Sequence, residues 1–352
     1  MKIEERKSNF ELLRIVSMFL IVLSHSVYYG CQLVEQSFTN IVFLNVLRSG
    51  GKIGVNTFIF ITGYFMINSN FKLKKLINLI IKTLIFSLLG IGIAIIMHID
   101  VGIKNVIISL LPITFEIYWF MTAYILLYIL SPYINIGIES LSKEKHLKLL
   151  IILTGLWVVL ATLTTSEYGM NNLLWFVYIY LIGAFIRRYE KEIDVKKVKK
   201  ILSRLALLMF GFLIISIVII TKISEKYTML QDYINYFAGI NRIPTVVISI
   251  YLFVLFLEMD IYSKNINKLA TSCLGVYLLH ENIFIRDIIW NSQSRILGNS
   301  QYFVILTLIS SVIVFFIGII FDKILNIIIN PISDCIYNFC KKIENKIYIM
   351  KK

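Results

Sequence analysis

Long apolar runs joined by short polar connections make up almost the whole chain, and this pattern leaves few folds open to it. Of 352 residues, 58% are hydrophobic and 16% are charged, against about 25% charged residues in an ordinary soluble domain. A helical run of about 20 apolar residues crosses a bilayer, because each residue adds about 1.5 Å. The sequence therefore predicts an all-α polytopic membrane protein.

We predict about ten transmembrane helices, with the N- and C-termini both in the cytoplasm. The predicted spans are residues 10–29, 51–67, 76–97, 118–136, 149–165, 173–186, 201–221, 243–257, 269–289 and 302–329. Every second connection is basic, and basic connections favour the cytoplasmic side. These basic groups are Lys2, Arg6 and Lys7, then Lys72, Lys74 and Lys75, then Lys143, Lys145 and Lys148, then Arg187, Arg188, Lys196, Lys197, Lys199 and Lys200, then Lys264 and Lys268.

The remaining composition narrows the class further. The net charge of +14 is clustered between the apolar runs, so it orients the protein in a membrane and does not indicate a nucleic-acid partner. The four cysteines lack metal-ligand spacing, and we expect no metal. The first run is too long for a signal-peptide core and is predicted to stay as an anchor in the cell membrane. We divide the chain into a transmembrane domain, residues 1–331, and a basic cytoplasmic tail, residues 332–352, suited to the membrane surface.

The first predicted span carries an arginine and a histidine that are candidates for a functional role. Arg14 and His25 are eleven positions apart, which places them on one helix face about 16 Å from each other. Arg14 is also the kind of residue that extends to the headgroups, and a neighbouring helix can satisfy a buried histidine. Ionisable groups inside the bilayer are costly, so a functional role is the default hypothesis for His25.

Three later stretches carry further candidates. Gly50, Gly51, Gly54 and Gly63 in the second span are typical of tight helix packing, and the segment Phe71-Lys-Leu-Lys-Lys75 follows it. The fourth span begins near Glu116 and Trp119, with Ser131-Pro-Tyr-Ile-Asn135 towards its end. The ninth span contains Gly275-Val-Tyr-Leu-Leu-His280, followed by Glu281 and Asn282. Either a structural hydrogen-bond cluster or a polar cavity accounts for these polar residues, and Arg286 and Asp287 favour the cavity.

These stretches, in this order, resemble the membrane acyltransferase 3 family. The resemblance rests on Arg14 with His25 after ten intervening residues, on the glycine and aromatic run from Gly54 to Phe65, on the fourth span and on the Gly275–His280 motif. Thr62 stands where the family usually has serine, and Lys74 and Lys75 stand where it is commonly rich in arginine. The family's members modify cell-surface glycans.

The resemblance implies transfer of an acyl group, usually acetyl from acetyl-CoA, to a hydroxyl of a carbohydrate acceptor. It implies that His25 removes the acceptor's proton as general base, or takes the acyl group itself, with Tyr277 or His280 supporting the oxyanion and Glu116 near the acceptor or a histidine. Arg14, Lys74 and Lys75 are expected to hold the donor, whose phosphates suit a basic surface.

Other functions stay open at this point. Intramembrane His, Arg and Glu residues also suit a transporter or exporter of a glycan or small anion, although we find no internal repeat. Within the family, the donor could be succinyl-CoA and the acceptor need not be a glycan. The oligomeric state is open, a homo-oligomer included.

Overall fold

The fold is a bundle of helices. The computed structural model describes residues 7–31, 36–297 and 302–350, with side chains to residue 344, and no strand occurs among them. The helices are α1 (Asn9–Gly30), α2 (Phe38–Met66), α3 (Leu73–Ile96), α4 (Gly102–Leu110), α5 (Trp119–Glu139), α6 (Lys143–Thr154), α7 (Ala161–Thr164), α8 (Asn172–Tyr189), α9 (Val195–Ser224), α10 (Ile243–Leu257), α11 (Lys264–Ala270), α12 (Cys273–His280), α13 (Ile283–Leu297) and α14 (Phe303–Met350). A π-helical turn joins α6 to α7, and two 3₁₀ turns precede α10.

Seven helical stretches of the described chain are long and apolar enough to cross a membrane. They are Asn9–Gly30, Leu73–Ile96, Trp119–Glu139, Lys143–Thr164, Val195–Ser224, Thr228–Leu257 and Phe303–Glu344. The protein is therefore an all-helical membrane protein. Each of these stretches overlaps one predicted span, and the total of about ten stays a prediction.

The other three predicted spans lie outside these seven stretches. The second, predicted from residue 51, lies within α2, which already begins at Phe38. The sixth lies within α8. The ninth, predicted as one helix over residues 269–289, is wrong as a continuous helix, because the chain forms α11, α12 and α13 with a break at Glu281 and Asn282.

The basic connections meet at one end of the bundle. Ion pairs link Lys7 to Asp260, Lys74 to Asp334, Lys143 to Glu192 and Lys199 to Glu258. We call this end the basic end, and the opposite end, where α1 finishes at Gly30, the far end. This grouping is what the predicted topology requires. The cytoplasmic position of the termini stays a prediction, and Lys2 and Arg6 lie outside the described residues.

The last helix, α14, is 48 residues long and passes through Pro331 without interruption. At about 1.5 Å per residue it extends about 72 Å, more than twice the roughly 30 Å hydrocarbon thickness of a bilayer. The predicted division between residues 331 and 332 therefore does not coincide with a break in the helix, and Lys351 and Lys352 lie outside the described residues.

Tight packing of α1 against α2 forms the centre of the bundle. Nearly all side chains of α2 from Ser49 to Tyr64 are buried. A Cβ at Gly54 would collide with the Ser17 carbonyl oxygen of α1, and one at Gly51 would collide with the Ser24 side chain. The glycines of the second span thus allow close helix approach, as their composition indicated.

A buried ion pair fixes α14 to the rest. Lys82 of α3 pairs with Asp322 of α14, and both side chains are almost fully buried. Asn326 donates to the other oxygen of Asp322 at 2.9 Å. Gly275 of α12 packs against Asp322 with no space for a Cβ. The pair therefore also determines how closely α12 approaches α14.

Replacing Gly54 should destabilise the bundle, because the added methyl group meets backbone and not a movable side chain. We expect Gly54→Ala to cost about 1–3 kcal/mol. Gly92 of α3 supplies a control, since nothing lies within 4 Å of the place that its Cβ would take. Thermal unfolding in detergent, followed by tryptophan fluorescence, should show a lower midpoint for Gly54→Ala and no loss for Gly92→Ala. Equal midpoints would contradict the close contact.

Candidate active site

The site is centred on His25, in the last turns of α1. Its Nδ1 lies 3.0 Å from Nε2 of His280, the last residue of α12. The Glu281 carboxylate lies 3.0 Å from the same Nδ1, off the line of a hydrogen bond. His280 is fully buried, whereas the His25 side chain is 22% exposed. The structure thus brings together two histidines that are 255 positions apart in the chain.

Asn282 produces the helix break that presents His280 and Glu281 to His25. Its side-chain oxygen accepts hydrogen bonds from the backbone N–H groups of Phe284 and Ile285, which caps the start of α13. Its side-chain nitrogen donates to the Phe86 carbonyl of α3 and to the Tyr118 hydroxyl, both at 2.9 Å. The buried Asn282 side chain therefore separates α12 from α13, and it anchors the break to α3 and to the turn before α5.

The second half of the broken element lies along α1. Gln293 of α13 donates to the Ser26 carbonyl at 3.0 Å and accepts from the Ser26 hydroxyl at 2.9 Å. Ser294 donates to the Gly30 carbonyl at 2.9 Å. These bonds hold α13 beside the last turns of α1, so the break stays next to His25.

The hydrogen bonds determine which nitrogen of each histidine carries the proton. His280 Nδ1 lies 2.6 Å from the Val276 carbonyl oxygen, which can only accept, so Nδ1 carries the proton. Nε2 of neutral His280 is then an acceptor, and His25 Nδ1 must donate to it. The Nε2 of neutral His25 is consequently left with a free lone pair. This is the nitrogen on which a general base accepts a proton.

His25 lines a cleft between α1, α2, α5 and α12. The cleft has an empty volume of about 390 Å³, counting the part open to solvent. Its apolar wall includes Met18, Ile21, Val55 and Phe120, and its polar lining includes His25, Lys52 and Tyr277. The Tyr277 hydroxyl is buried near the Phe120 backbone without a well-formed hydrogen bond. A reacting group in this cleft would meet a base, an ammonium group and a phenol within a largely apolar surrounding.

Three of the predicted site residues, His25, Tyr277 and His280, come together here. Both ring nitrogens of His280 are engaged in hydrogen bonds, to His25 and to the Val276 carbonyl, and its support of an oxyanion stays a prediction. Glu116 is exposed on the turn before α5, at φ 51°, and is outside the cleft lining. Its contact with an acceptor stays a prediction.

The predicted donor-binding residues lie away from the cleft. Arg14 donates to Glu11 at 2.5 Å, Lys74 pairs with Asp334 at 2.7 Å, and the Lys75 ammonium lies 4.8 Å from the centre of the Tyr128 ring. Arg14 shares α1 with His25, as predicted, and is nearer the basic end. Their role in holding a donor stays a prediction.

Sequence reasoning did not select Lys52 or Glu281 as site residues. Lys52 lies within α2 and is the second residue of the predicted span, where it was not selected as a site residue. Glu281 directly follows His280 inside an apolar stretch, and that position in a membrane segment was the available indication.

The same groups also have the composition of a metal site. The ligand atoms of His25, His280 and Glu281 lie within 4.8 Å of one another, in a combination that divalent metals accept. In the structure the two histidines satisfy each other by a direct hydrogen bond, which leaves His25 Nδ1 as a donor and not as a ligand. The hydrogen-bonded network accounts for the arrangement, and the expected absence of a metal stays a prediction.

Asn282→Ala, which removes both the capping oxygen and the amide donor, should destabilise the protein more than Asn282→Ser, which keeps a capping oxygen. We expect Asn282→Ala to cost about 1–3 kcal/mol, because it removes the cap of α13 and the bonds to Phe86 and Tyr118. Asn282→Ser keeps a capping oxygen and should cost less. Thermal unfolding of both variants in detergent checks this order, and equal losses would show that capping contributes nothing.

Comparison with known proteins agrees with the sequence pattern. A family model described as an acyltransferase domain matches residues 7–322, which is nearly the whole chain. Neither the curated proteins nor the solved structures contain a match to this chain.

Proposed function

The chain belongs to the acyltransferase 3 family, and from that premise we propose that it transfers an acetyl group from acetyl-CoA to a hydroxyl of a cell-surface or exported glycan. We place this activity in the cell membrane. The observation that carries the proposal is the hydrogen-bond chain from Val276 through His280 to His25, which leaves His25 Nε2 free in a cleft.

In the proposed reaction His25 acts as general base. Its Nε2 takes the proton of the acceptor hydroxyl as the oxygen attacks the thioester carbonyl carbon. The carbon–sulfur bond then breaks, and the proton passes from His25 to the departing sulfur, so that the products are an ester and free CoA. Glu281, 3.0 Å from His25 Nδ1, stabilises the imidazolium that forms between these steps.

Tyr277 supports the developing negative charge, and three cations support the donor. The Tyr277 hydroxyl, lining the cleft without a full hydrogen bond, is available to donate to the oxyanion. Lys74 and Lys75 at the basic end, with Arg14 along α1, suit the phosphates of the coenzyme. The cleft is small and its lining is largely apolar, which favours a small acyl group such as acetyl.

Removing the base should abolish transfer without disturbing the network. In His25→Asn the shorter amide can still donate towards His280 but cannot accept a proton at this position. We expect the acceptor-dependent release of CoA thiol from acetyl-CoA to fall by about 10²–10⁴-fold. Release is measured with the purified protein and surface glycans of its source cells.

His98, an exposed histidine at φ 55°, provides the matched control His98→Asn, which should keep wild-type activity. Retained activity in folded His25→Asn would refute the general-base role. Incubation of the wild type with a strong chelator should leave the rate unchanged, and a lost rate that zinc restores would identify a metal centre instead. Flux of glycan or anion into proteoliposomes without CoA release would favour transport.

His280 should act as a positioning residue. His280→Ala removes the acceptor for His25 Nδ1–H, whereas the side-chain oxygen of His280→Gln can replace it. We expect kcat of His280→Ala to fall about 10–100-fold with little change in KM for acetyl-CoA, because a misplaced base affects the chemical step. Partial recovery of kcat in His280→Gln distinguishes this role from packing. If both variants lose stability and kcat equally, His280 only fills space.

A further inference from the structure

Three cations surround the cleft at the far end of the bundle. Lys52 lines the cleft beside His25, and Arg48 stands one helical turn before it on the same face of α2. Arg286 approaches from α13. The Tyr29 ring against which Arg286 lies is 5.7 Å from the His25 ring, centre to centre, so Arg286 also stands near the reacting position.

Aromatic rings hold each of these cations in place. The Arg48 guanidinium carbon lies 4.4 Å from the centre of the Tyr28 ring, and that of Arg286 lies 4.9 Å from the centre of the Tyr29 ring. The Lys52 ammonium lies 5.2 Å from the centre of the Trp119 ring. A ring face orients a cation without accepting its N–H bonds in the way a carboxylate does. The donors of Arg48 and Lys52 therefore stay available to a ligand.

Arg48 and Lys52 differ from the ion-paired cations of the bundle. At the basic end, the ammonium groups of Lys7, Lys74, Lys143 and Lys199 each pair with a carboxylate. At the far end, Lys222 pairs with Glu225 and Arg242 with Glu167, and Arg286 pairs with the adjacent, 62% exposed Asp287, but the ion pairs of the described chain include neither Arg48 nor Lys52. Arg48 is partly buried and lacks an ion pair among the described residues, a position in which a bound anion compensates the charge, whereas Lys52 is exposed and has Glu281 as its nearby carboxylate.

We propose that the glycan acceptor is anionic, and that Arg48, Lys52 and Arg286 bind its carboxylate or phosphate group beside His25. This inference rests on the proposed acyl transfer and specifies its substrate. A guanidinium binds a carboxylate or phosphate through two parallel N–H···O bonds, which fixes orientation as well as charge. Holding the acidic group of one sugar in this way places a neighbouring hydroxyl at His25 Nε2. The surrounding Tyr28, Tyr29 and Trp119 rings offer apolar faces for the sugar rings.

Coenzyme A also carries phosphates, so the test separates donor from acceptor. Surface glycans of the source cells are divided by anion exchange into an acidic and a neutral fraction, and CoA release from acetyl-CoA is measured with each. The variants are Arg48→Gln and Lys52→Gln, with Arg48→Lys as the charge-keeping counterpart. Lys226→Gln is the control, because Lys226 is an exposed lysine that lies 5.5 Å from the Tyr227 ring centre outside the cleft.

We expect release with the acidic fraction and little with the neutral one. Arg48→Gln and Lys52→Gln should raise the half-saturating concentration of acidic glycan about tenfold or more, while KM for acetyl-CoA stays as in the wild type. Arg48→Lys should recover part of the loss, and Lys226→Gln should behave as the wild type.

Each contrary result has its own meaning. Activity with the neutral fraction that is indifferent to Arg48→Gln and Lys52→Gln would overturn the anionic acceptor and leave acyl transfer standing. A raised KM for acetyl-CoA with unchanged glycan saturation would assign the cations to the donor and overturn the inference as well. No release with either fraction from folded wild-type protein would refute the proposed function, and the inference with it.

Discussion

The hydrogen bond between His25 Nδ1 and His280 Nε2 is the interaction on which the chemistry of this bundle depends. It has a direction only because the Val276 carbonyl, an obligatory acceptor, fixes the proton of His280 on its other nitrogen. Its position depends on Asn282, which directly follows Glu281 and caps the start of α13, so that the helix is broken there. A continuous α12–α13 helix would carry the following polar residues away from α1. The Val276 carbonyl thus determines, through His280, which nitrogen of His25 is free to react.

Charge is distributed along the bundle in two different ways. Several cations of the basic end form ion pairs that join neighbouring connections, such as Lys143 with Glu192. Arg48, Lys52 and Arg286 at the far end lie against aromatic rings near the cleft, as Lys52 does against Trp119. Exposed pairs of the first kind contribute little to stability and mainly organise the surface. The second kind costs free energy unless a ligand is bound, which is a property expected of binding sites and not of scaffolding.

The sequence predicted the parts of this structure that depend on local pattern. Apolar length identified the helices, and helical periodicity placed Arg14 and His25 on one face of the first of them. The break at Asn282 was out of reach, because it depends on hydrogen bonds to residues 196 and 164 positions away in the chain. Lys52 was not selected because the hydropathy pattern, which averages over neighbouring residues, placed the start of the second predicted span next to it, at residue 51. The family resemblance found His280 but not its orientation, which only the surrounding acceptors determine.

The unbroken α14 has a practical consequence. A membrane-anchored helix whose length exceeds the bilayer by tens of ångströms transmits the orientation of its buried half to its last turns, because helical hydrogen bonds leave no flexible joint between them. The buried Lys82–Asp322 pair fixes that buried half against α3. A small rigid protein fused in helical register after Met350 would therefore hold a constant angle to the bundle. Such a fusion offers an alignment marker for imaging the protein.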